Sequence, residues 1–241
     1  MNDILFLVPT IMTQPEVEIA VVENISKQFP NCKVVFISNI EDEDFDKYEP
    51  LPNIKKEVSG KLYSISKALN VGLKHLTNEN HICFLQSDVF VKPEVVISCK
   101  NIIEKEELNT GVVGIRPHST FSSFNKLVGK VHDFEIYKVL WSDGLMMWSK
   151  KLYEDIGGFN EEYYGDRESQ EYCYRAHDKG YSNYFLDVKI SSGKWATHHS
   201  REFNRKTKYD SNDFLSIVKD TGDRFIETWS PWEQKQKHLF E

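Results

Sequence analysis

The sequence has few cysteines and no long apolar segment. Its four cysteines, Cys32, Cys83, Cys99 and Cys173, are scattered through 241 residues without a CxxC pair, which argues against a disulfide framework and a cysteine-based zinc site. No apolar run approaches the roughly 20 residues that a membrane-spanning helix needs. The first run, 4–8, has no basic flank and is too short for a signal peptide. We therefore expect a reduced, cytoplasmic protein whose contact with a membrane, if it has one, is peripheral.

The charge balance is acidic, and the composition is that of an ordinary soluble protein. Apolar residues make up 40% of the chain, charged residues make up 28%, and the formal net charge is -7. This acidity argues against a protein whose whole surface binds nucleic acid, although the stretch 194–208 is locally basic and contains two histidines. The 241 residues suffice for one large domain, or for one domain followed by a tail.

Short apolar runs alternate with helix-like segments through the first half of the chain. Runs of this kind are typical of strands that are buried on both faces of a sheet. The β-α-β alternation predicts an α/β fold with a mostly parallel, doubly wound sheet and helices on both faces. In the less regular second half we predict a strand at 143–148, a helix at 167–179 and a strand near 184–188. The four predicted strands of the first half are 4–8, 33–38, 82–86 and 111–115.

A carboxylate directly follows the third predicted strand. Ligands of such sheets bind beyond the carboxyl ends of the strands, so Asp88 lies at the predicted ligand edge. Hard divalent cations take oxygen ligands and usually keep positions open for phosphate oxygens. Asp88 is therefore a candidate ligand of Mg2+ or Mn2+. The alternative is a loop aspartate that accepts backbone N–H bonds or caps a helix beginning at Pro93.

Two glutamates share one face of the predicted helix 167–179. Glu168 and Glu171 are three residues apart, and Arg175 lies four residues beyond Glu171, where it can pair with it. Glu168 falls in the first turn, where the helix dipole favours a carboxylate. This position suits a general base that takes the proton of an acceptor. The alternative is a solvated helix face with one ordinary ion pair.

The basic stretch contains two adjacent histidines, His198 and His199, followed by Arg201. Neighbouring side chains on a strand point to opposite faces, so we expect only one of the two histidines to ligate a given metal ion. The cationic residues could bind a diphosphate leaving group. The alternatives are a basic loop without a ligand and a basic groove for nucleic acid.

Taken together, these segments resemble, in their order and spacing, the family 2-like glycosyltransferases of the GT-A fold. The resemblance covers about residues 1–205, with 1–116 as the nucleotide-sugar-binding half, 117–205 as the acceptor and catalytic half, and 206–241 left as a C-terminal tail. The segments that carry it are a G…A.N.G-like helix at 59–73, a DxD-like segment at 84–89, an acceptor-side strand and GGF turn at 143–159, an acidic ED-like helix at 168–175, and a late histidine at 198 or 199.

The resemblance implies a nucleoside-diphosphate sugar donor of the uridine or thymidine type. The implied acceptor is a glycan, a lipid-linked glycan, a protein or a modified nucleobase. The resemblance also implies a Mn2+ or Mg2+ ion that binds Asp88 with His198 or His199 and neutralises the leaving diphosphate. The implied donor-binding residues are Pro9, Thr10, Asn39, Asp42, Lys61, Asn70, Gln86, Ser87, Asp88 and Arg201. The implied acceptor-binding residues are Trp141, Asp143, Gly144 and Tyr164.

The sequence departs from the family pattern at two acidic positions. Gln86 replaces the first aspartate of DxD, and Ser169 replaces the aspartate that follows the motif glutamate. The resemblance implies inversion at the anomeric centre. Because serine cannot serve as the base, we predict Glu168 as the base, with Asp166 and then Glu171 as the next candidates. A helix without the second aspartate also occurs in retaining relatives, so the sequence leaves the stereochemistry open.

Two other functions remain open from the sequence. A non-catalytic nucleotide-sugar or glycan-binding module with a decayed site is favoured by the neutral residues Gln86 and Ser169. A sugar-1-phosphate nucleotidyltransferase would have a glycine-rich phosphate loop after the first strand, whereas residues 9–12 contain no glycine. In the tail, Trp229 and Trp232 could form a lid over the site or an interface.

Overall fold

The computed structural model describes residues 2–12, 14–116, 125–163, 167–188, 196–198 and 211–236. The strands of these ranges form one nine-stranded sheet and one two-stranded sheet. In chain order they are β1 Ile4–Thr10, β2 Lys33–Ser38, β3 Ile54–Val58, β4 His81–Leu85, β5 Val89–Val91, β6 Thr110–Arg116, β7 Asn125–Val131, β8 Phe134–Val139, β9 Asp143–Ser149, β10 Ser182–Asp187 and β11 Ala196–His198. The large sheet has the order β3-β2-β1-β4-β9-β6-β10-β8-β7, and β11 pairs with β5.

None of the helices in the described ranges is long and apolar enough to cross a membrane. They are α1 Pro15–Gln28, α2 Glu43–Lys47, α3 Ile65–Leu73, α4 Pro93–Ile103, α5 Lys150–Ile156, α6 Glu168–Asp178 and α7 Ser211–Gln236, with a 3-10 turn at Glu106–Leu108. The helices α1, α3, α4, α5 and α6 pack on the large sheet.

The large sheet is mostly parallel. β1 pairs in parallel with β2 and β4, β2 pairs in parallel with β3, and β6 pairs in parallel with β10. β9 runs antiparallel between β4 and β6, and β8 runs antiparallel between β10 and β7. All strands of this sheet except β8 and β9 therefore point the same way. The predicted α/β fold, with its mostly parallel sheet, is confirmed.

Both faces of the sheet are buried at β1, which explains the continuous apolar run of this strand. Ile4, Phe6 and Val8 pack on one face with side chains of α1 and α4. Leu5 and Leu7 pack on the other face with side chains of α3, α5 and α6. Successive side chains of a strand point to opposite faces, so a strand covered by helices on both sides has no polar position. The prediction of helices on both faces is thus also confirmed.

The C-terminal helix α7 docks on α6 through aromatic side chains. The ring of Phe225 lies 5.9 Å from that of Tyr163 and 5.6 Å from that of Tyr174. Trp232 lies 4.7 Å from the Tyr174 ring, and its indole N–H donates to Asp178 at 3.2 Å. Trp229 also contacts Tyr174, at 5.6 Å. The two tail tryptophans therefore pack on α6 of their own chain.

Phe225→Ala is expected to lower the free energy of unfolding by about 3 kcal/mol, the usual cost of emptying a buried phenylalanine site. Phe225 is only 4% exposed. Loosened packing around Trp229 and Trp232 should also shift the tryptophan emission to longer wavelength. Ile226→Ala is the matched control, because Ile226 is 56% exposed on the same helix. A loss of stability as large for Ile226→Ala as for Phe225→Ala would contradict the packing of α7.

An ion pair joins the first residue of β2, Lys33, to Glu79 in the loop before β4. The Lys33 ammonium lies 3.0 Å from the Glu79 carboxylate and donates to the carbonyl of His75 at 2.7 Å. The N–H of Thr77 donates to the other oxygen of Glu79, also at 2.7 Å. Burial by itself raises the pKa of Glu79, but these hydrogen bonds outweigh burial and lower the pKa from 4.5 to about 2.

Glu79 should therefore contribute to the pH dependence of stability. A carboxyl whose pKa is lowered by folding stabilises the protein above its unfolded pKa, and this contribution disappears as pH falls from 4.5 towards 2. The contribution at neutral pH is about 2–3 kcal/mol. Urea unfolding between pH 7 and pH 3 should show a flatter stability curve for Glu79→Gln than for the wild type. Parallel curves would contradict the shifted pKa.

Candidate functional site

The carboxyl ends of β1, β2 and β4 meet at one edge of the sheet. Thr10 ends β1, Asn39 follows β2, and Gln86 follows β4. Because β9 runs in the opposite direction to β4, its first residue, Asp143, lies at the same edge. The structure thus brings together predicted donor-binding residues and a predicted acceptor-binding residue that are far apart in the sequence.

Asn39 forms hydrogen bonds to neighbouring segments of the chain at this edge. It is buried, with 1% of its surface exposed. In the amide orientation that satisfies both of its polar groups, its nitrogen donates to the Thr10 carbonyl at 3.2 Å, and its oxygen accepts from the N–H groups of Ser64 at 2.9 Å and Tyr63 at 3.2 Å. The Lys61 N–H donates to the Asn39 carbonyl at 2.7 Å. Asn39 therefore organises the predicted donor loop, and it places Lys61 beside the ends of β1 and β2.

Other predicted donor residues also have defined structural contacts. Pro9 is buried within β1, and the Thr10 hydroxyl accepts a bond from the Met12 N–H at 2.9 Å. Asp42 is the N-cap of α2, where its carboxylate accepts bonds from the N–H groups of Asp44 and Phe45. These contacts shape the loops after β1 and β2.

Asn70 links α3 to the GGF turn. Its oxygen accepts a bond from the Phe159 N–H at 2.8 Å, and its nitrogen donates to the Phe159 carbonyl at 2.9 Å. A Cβ atom at Gly158 would lie 2.5 Å from the Asn70 oxygen, so only glycine allows this close approach. In the described structure Asn70 thus holds the acceptor-side turn against the donor-side helix.

The DxD-like segment forms a turn between β4 and β5. Gln86, Ser87 and Asp88 are all half-buried there. α4 begins at Pro93 with Lys92 at its N-cap position, and the Lys92 side chain makes no capping bond. Asp88 lies in a turn at the predicted ligand edge of the sheet.

A predicted metal-binding histidine approaches this turn through strand pairing. β11 pairs antiparallel with β5, and His198 is the Cα partner of Val89, the residue after Asp88. Only the backbone of His198 is described, and His199 and Arg201 lie outside the described residues. The pairing brings the chain at residue 198 next to Asp88, as a shared metal site requires.

Asp143 connects this turn to α6, a link that the sequence analysis did not predict. Its Oδ1 atom accepts a bond from the Gln86 amide at 3.3 Å and from the Ser169 hydroxyl at 3.4 Å. The next residue, Gly144, has φ of +86°, which L side chains rarely adopt, and its carbonyl accepts from the Gln86 N–H at 3.2 Å. The two positions that depart from the family pattern thus contact the same carboxylate.

The acidic face of α6 is buried, so the alternative of a solvated helix face is wrong. Glu168 is 8% exposed, Ser169 is 6% exposed and Glu171 is 3% exposed. The predicted ion pair is confirmed, because Arg175 donates to Glu171 at 2.7 Å. Burial raises the pKa of Glu171, against the opposing effect of Arg175. Arg175 also donates to the carbonyls of Ile156 and Gly158, so this pair anchors the GGF turn.

Glu168 begins α6 at the same end as Ser169. The preceding residue, Arg167, has φ of +70°, donates to Gln170 at 3.1 Å and stacks over the Phe225 ring at 5.7 Å. α7 therefore supports the amino end of α6, where the predicted base lies. Trp141 is partly buried against the core, whereas Tyr164 and Asp166 lie outside the described residues.

Another group of metal-ligating side chains lies at the opposite edge of the sheet. Asp3, His81 and Glu104 each have a ligand atom within 4.8 Å of the others, the one such group found among the described residues. The Lys100 ammonium already lies 3.2 Å from Asp3 and 2.6 Å from Glu104. Because Asp3 precedes β1 and His81 begins β4, this group is remote from Asp88, and we do not assign the donor metal to it.

Comparisons with known proteins identify the fold. No protein-family model matches the sequence, and no curated protein matches it. TarS from S. aureus is 18% identical over 94% of this chain and 72% of the TarS chain, with a TM-score of 0.56. GalNAc-T7, solved with UDP, GalNAc and Mn2+, is 11% identical with a TM-score of 0.64, over 92% of this chain and 49% of its own.

A third similar structure is that of a mannosyltransferase. Mannosyltransferase PcManGT from Pyrobaculum calidifontis, solved with GDP-Man and Mn2+, is 13% identical with a TM-score of 0.55. The alignment covers 98% of this chain and 73% of that one. The resemblance stated from the sequence motifs is thus matched by the three-dimensional structure. The chain has the GT-A fold of these glycosyltransferases.

Proposed function

We propose that this chain is a glycosyltransferase that moves a sugar from a nucleoside-diphosphate sugar to an acceptor hydroxyl, with Mn2+ or Mg2+. One observation carries the proposal. Asp88 lies in the turn after β4 at the ligand edge of a GT-A fold, and the strand containing His198 pairs beside it. GalNAc-T7 and PcManGT, which have the same fold, were solved with a nucleotide and Mn2+.

The residues of this edge suit such a metal. Asp88 supplies a carboxylate oxygen, and His198 or His199 supplies an imidazole, which together fit Mn2+ better than a soft metal. Such an ion would neutralise the diphosphate as it leaves. Lys61 is held near the ends of β1 and β2 by the Asn39 contacts, where it would bind the nucleobase or a phosphate.

The acceptor side is formed by β9 and the amino end of α6. Transfer with inversion requires a carboxylate that takes the proton of the acceptor hydroxyl as that oxygen attacks the anomeric carbon. Glu168 is the base predicted from the sequence, and it lies in the first turn of α6, where the helix dipole favours a carboxylate. Inversion, the donor sugar and a cytoplasmic location stay predictions.

A non-catalytic binding module remains the second candidate. It is favoured by the two neutral side chains, Gln86 and Ser169, that contact Asp143 where the family pattern has acids. Such a module would bind a nucleotide sugar without breaking its glycosidic bond. Binding and turnover must therefore be measured separately.

The test is a thermal-stability titration of the purified chain with UDP, UDP-glucose, UDP-N-acetylglucosamine, GDP-mannose and dTDP-rhamnose, with and without Mn2+. A nucleotide present at 100 times its Kd stabilises the native state by about 2.7 kcal/mol. For a chain of this size that corresponds to a rise in Tm of roughly 5–10 °C. Mn2+ alone and ADP with Mn2+ serve as controls.

A rise in Tm that requires both Mn2+ and one nucleotide, followed by release of that nucleotide from its sugar donor, supports a transferase. A rise without release during prolonged incubation supports the binding module. If no nucleotide changes the Tm in either condition, both proposals are wrong.

A further inference from the structure

The described carboxylates at the ligand edge differ in their contacts. Asp88 lies in the turn assigned to the metal, and Glu171 is held by Arg175 beneath the GGF turn at 3% exposure. Glu168, the base predicted from the sequence, is 8% exposed, whereas Asp143 is half-buried. Asp143 is thus more accessible than Glu168.

Asp143 also occupies the junction of the donor and acceptor sides. It accepts a bond from Gln86, which lies two residues before Asp88 in the turn after β4, and a bond from Ser169 in the first turn of α6. Both bonds reach the same oxygen, Oδ1, so they fix the plane of the carboxylate. The backbone beneath it is fixed by the bond from the Gln86 N–H to the Gly144 carbonyl. An oriented carboxylate beside the departing diphosphate is what deprotonation of an acceptor requires.

The geometry points to Asp143 as the catalytic base of the proposed transfer, in place of Glu168. In this step the acceptor hydroxyl gives its proton to the Asp143 carboxylate while its oxygen bonds to the anomeric carbon. The bond between that carbon and the diphosphate oxygen breaks, and the nucleoside diphosphate leaves with the electron pair. The proton returns to solvent after the product dissociates. Gln86 and Ser169 act as positioning residues that hold the carboxylate through Oδ1.

This inference rests on the proposed function, so its test begins with a donor that the wild type hydrolyses. Asp143→Asn keeps an oxygen for the bonds from Gln86 and Ser169 but cannot take a proton. We expect it to lower kcat for donor hydrolysis by about 10²–10⁴-fold, the usual contribution of a general base. The rise in Tm caused by the nucleotide and Mn2+ should remain, since the donor site is intact.

A second variant distinguishes a base from a structural contact. The Ser169 oxygen lies 3.4 Å from Asp143 Oδ1, so an aspartate at 169 places a carboxylate next to the one that is lost. We expect the double variant Asp143→Asn, Ser169→Asp to recover at least about 10-fold of the lost activity. Ser169→Ala, which removes only one positioning bond, should lower kcat far less than Asp143→Asn does.

Two results would overturn the assignment. One is a kcat within about 3-fold of the wild type for Asp143→Asn together with a large loss for Glu168→Gln. The other is loss of the nucleotide-induced rise in Tm in Asp143→Asn, which would make Asp143 a donor-binding residue. Failure of the wild type itself to hydrolyse any donor would instead reject the proposed function, and the base assignment with it.

Discussion

Replacing Asp88 by asparagine is expected to lower the rate of donor hydrolysis by about 10³-fold, equivalent to about 4 kcal/mol of transition-state stabilisation. The loss is expected to be large because Asp88 is the described carboxylate in the turn between β4 and β5, where the proposed metal would neutralise the charge that develops on the leaving diphosphate. The measurement is the initial rate of nucleoside diphosphate release at saturating Mn2+.

The control for this substitution is Glu107→Gln. Glu107 is exposed in the 3-10 turn before β6, at the opposite edge of the sheet, so this variant should hydrolyse the donor at the wild-type rate. Hydrolysis by Asp88→Asn that keeps the wild-type rate and Mn2+ dependence would show that another residue binds the metal.

Asn183→Ala is expected to lower the free energy of unfolding by about 4 kcal/mol, because a buried polar group left without a partner costs about 1–3 kcal/mol. Asn183 lies in β10 and is 0% exposed. Its oxygen accepts a bond from the Val112 N–H at 3.0 Å, and its nitrogen donates to the carbonyls of Leu140 at 2.8 Å and Cys173 at 2.7 Å. The substitution thus removes a side-chain partner from buried backbone groups in β6, in the segment between β8 and β9, and in α6.

Urea unfolding measures this loss directly through the shift of the midpoint. Asn160→Ala is the matched control, since the Asn160 oxygen accepts one exposed bond, from the Glu162 N–H at 3.1 Å. We expect the control to lose less than about 1 kcal/mol. Similar losses for the two variants would contradict the role of Asn183 in joining β6, β10 and α6.

The strands of the first half that the sequence predicts are apolar because they are buried in the sheet. β1, β2, β4 and β6 are covered on both faces and are apolar along most of their length, so a short apolar run identifies them. The edge strands β3 and β7 have the sequences IKKEV and NKLVGKV. Their side chains are largely solvated, so tertiary pairing and not an apolar pattern determines these two strands.

The C-terminal helix was not predicted for a different reason. α7 contains Gly222 and Pro231 and exposes much of its surface, and both residues usually indicate interruption of a helix. Packing of Phe225, Trp229 and Trp232 on Tyr174 outweighs those local preferences. Tertiary contacts therefore stabilise a helix that the local sequence disfavours.

The parts of the candidate site that follow from local sequence, namely the position of a residue after a strand or its spacing on a helix, could be predicted. Asp88 follows β4, and the spacing of Glu171 and Arg175 on a helix predicts their ion pair. The contacts of Asp143 with Gln86 and Ser169 join residues 57 and 26 positions apart. The sequence shows that neutral residues, Gln86 and Ser169, replace two acids of the family pattern. Only the fold shows that both of these residues contact the Asp143 carboxylate.

Electron paramagnetic resonance of Mn2+ is the most direct test of the central claim, that the carboxyl edge of the sheet binds a metal together with a nucleotide. We expect the signal of free Mn2+ to fall when UDP, or the nucleotide selected by the thermal titration, is added to the wild type. The fall should be absent in Asp88→Asn and unchanged in Glu104→Gln, which alters the group at the opposite edge. The claim would be contradicted if Mn2+ bound without a nucleotide, if this binding persisted in Asp88→Asn, and if it disappeared in Glu104→Gln.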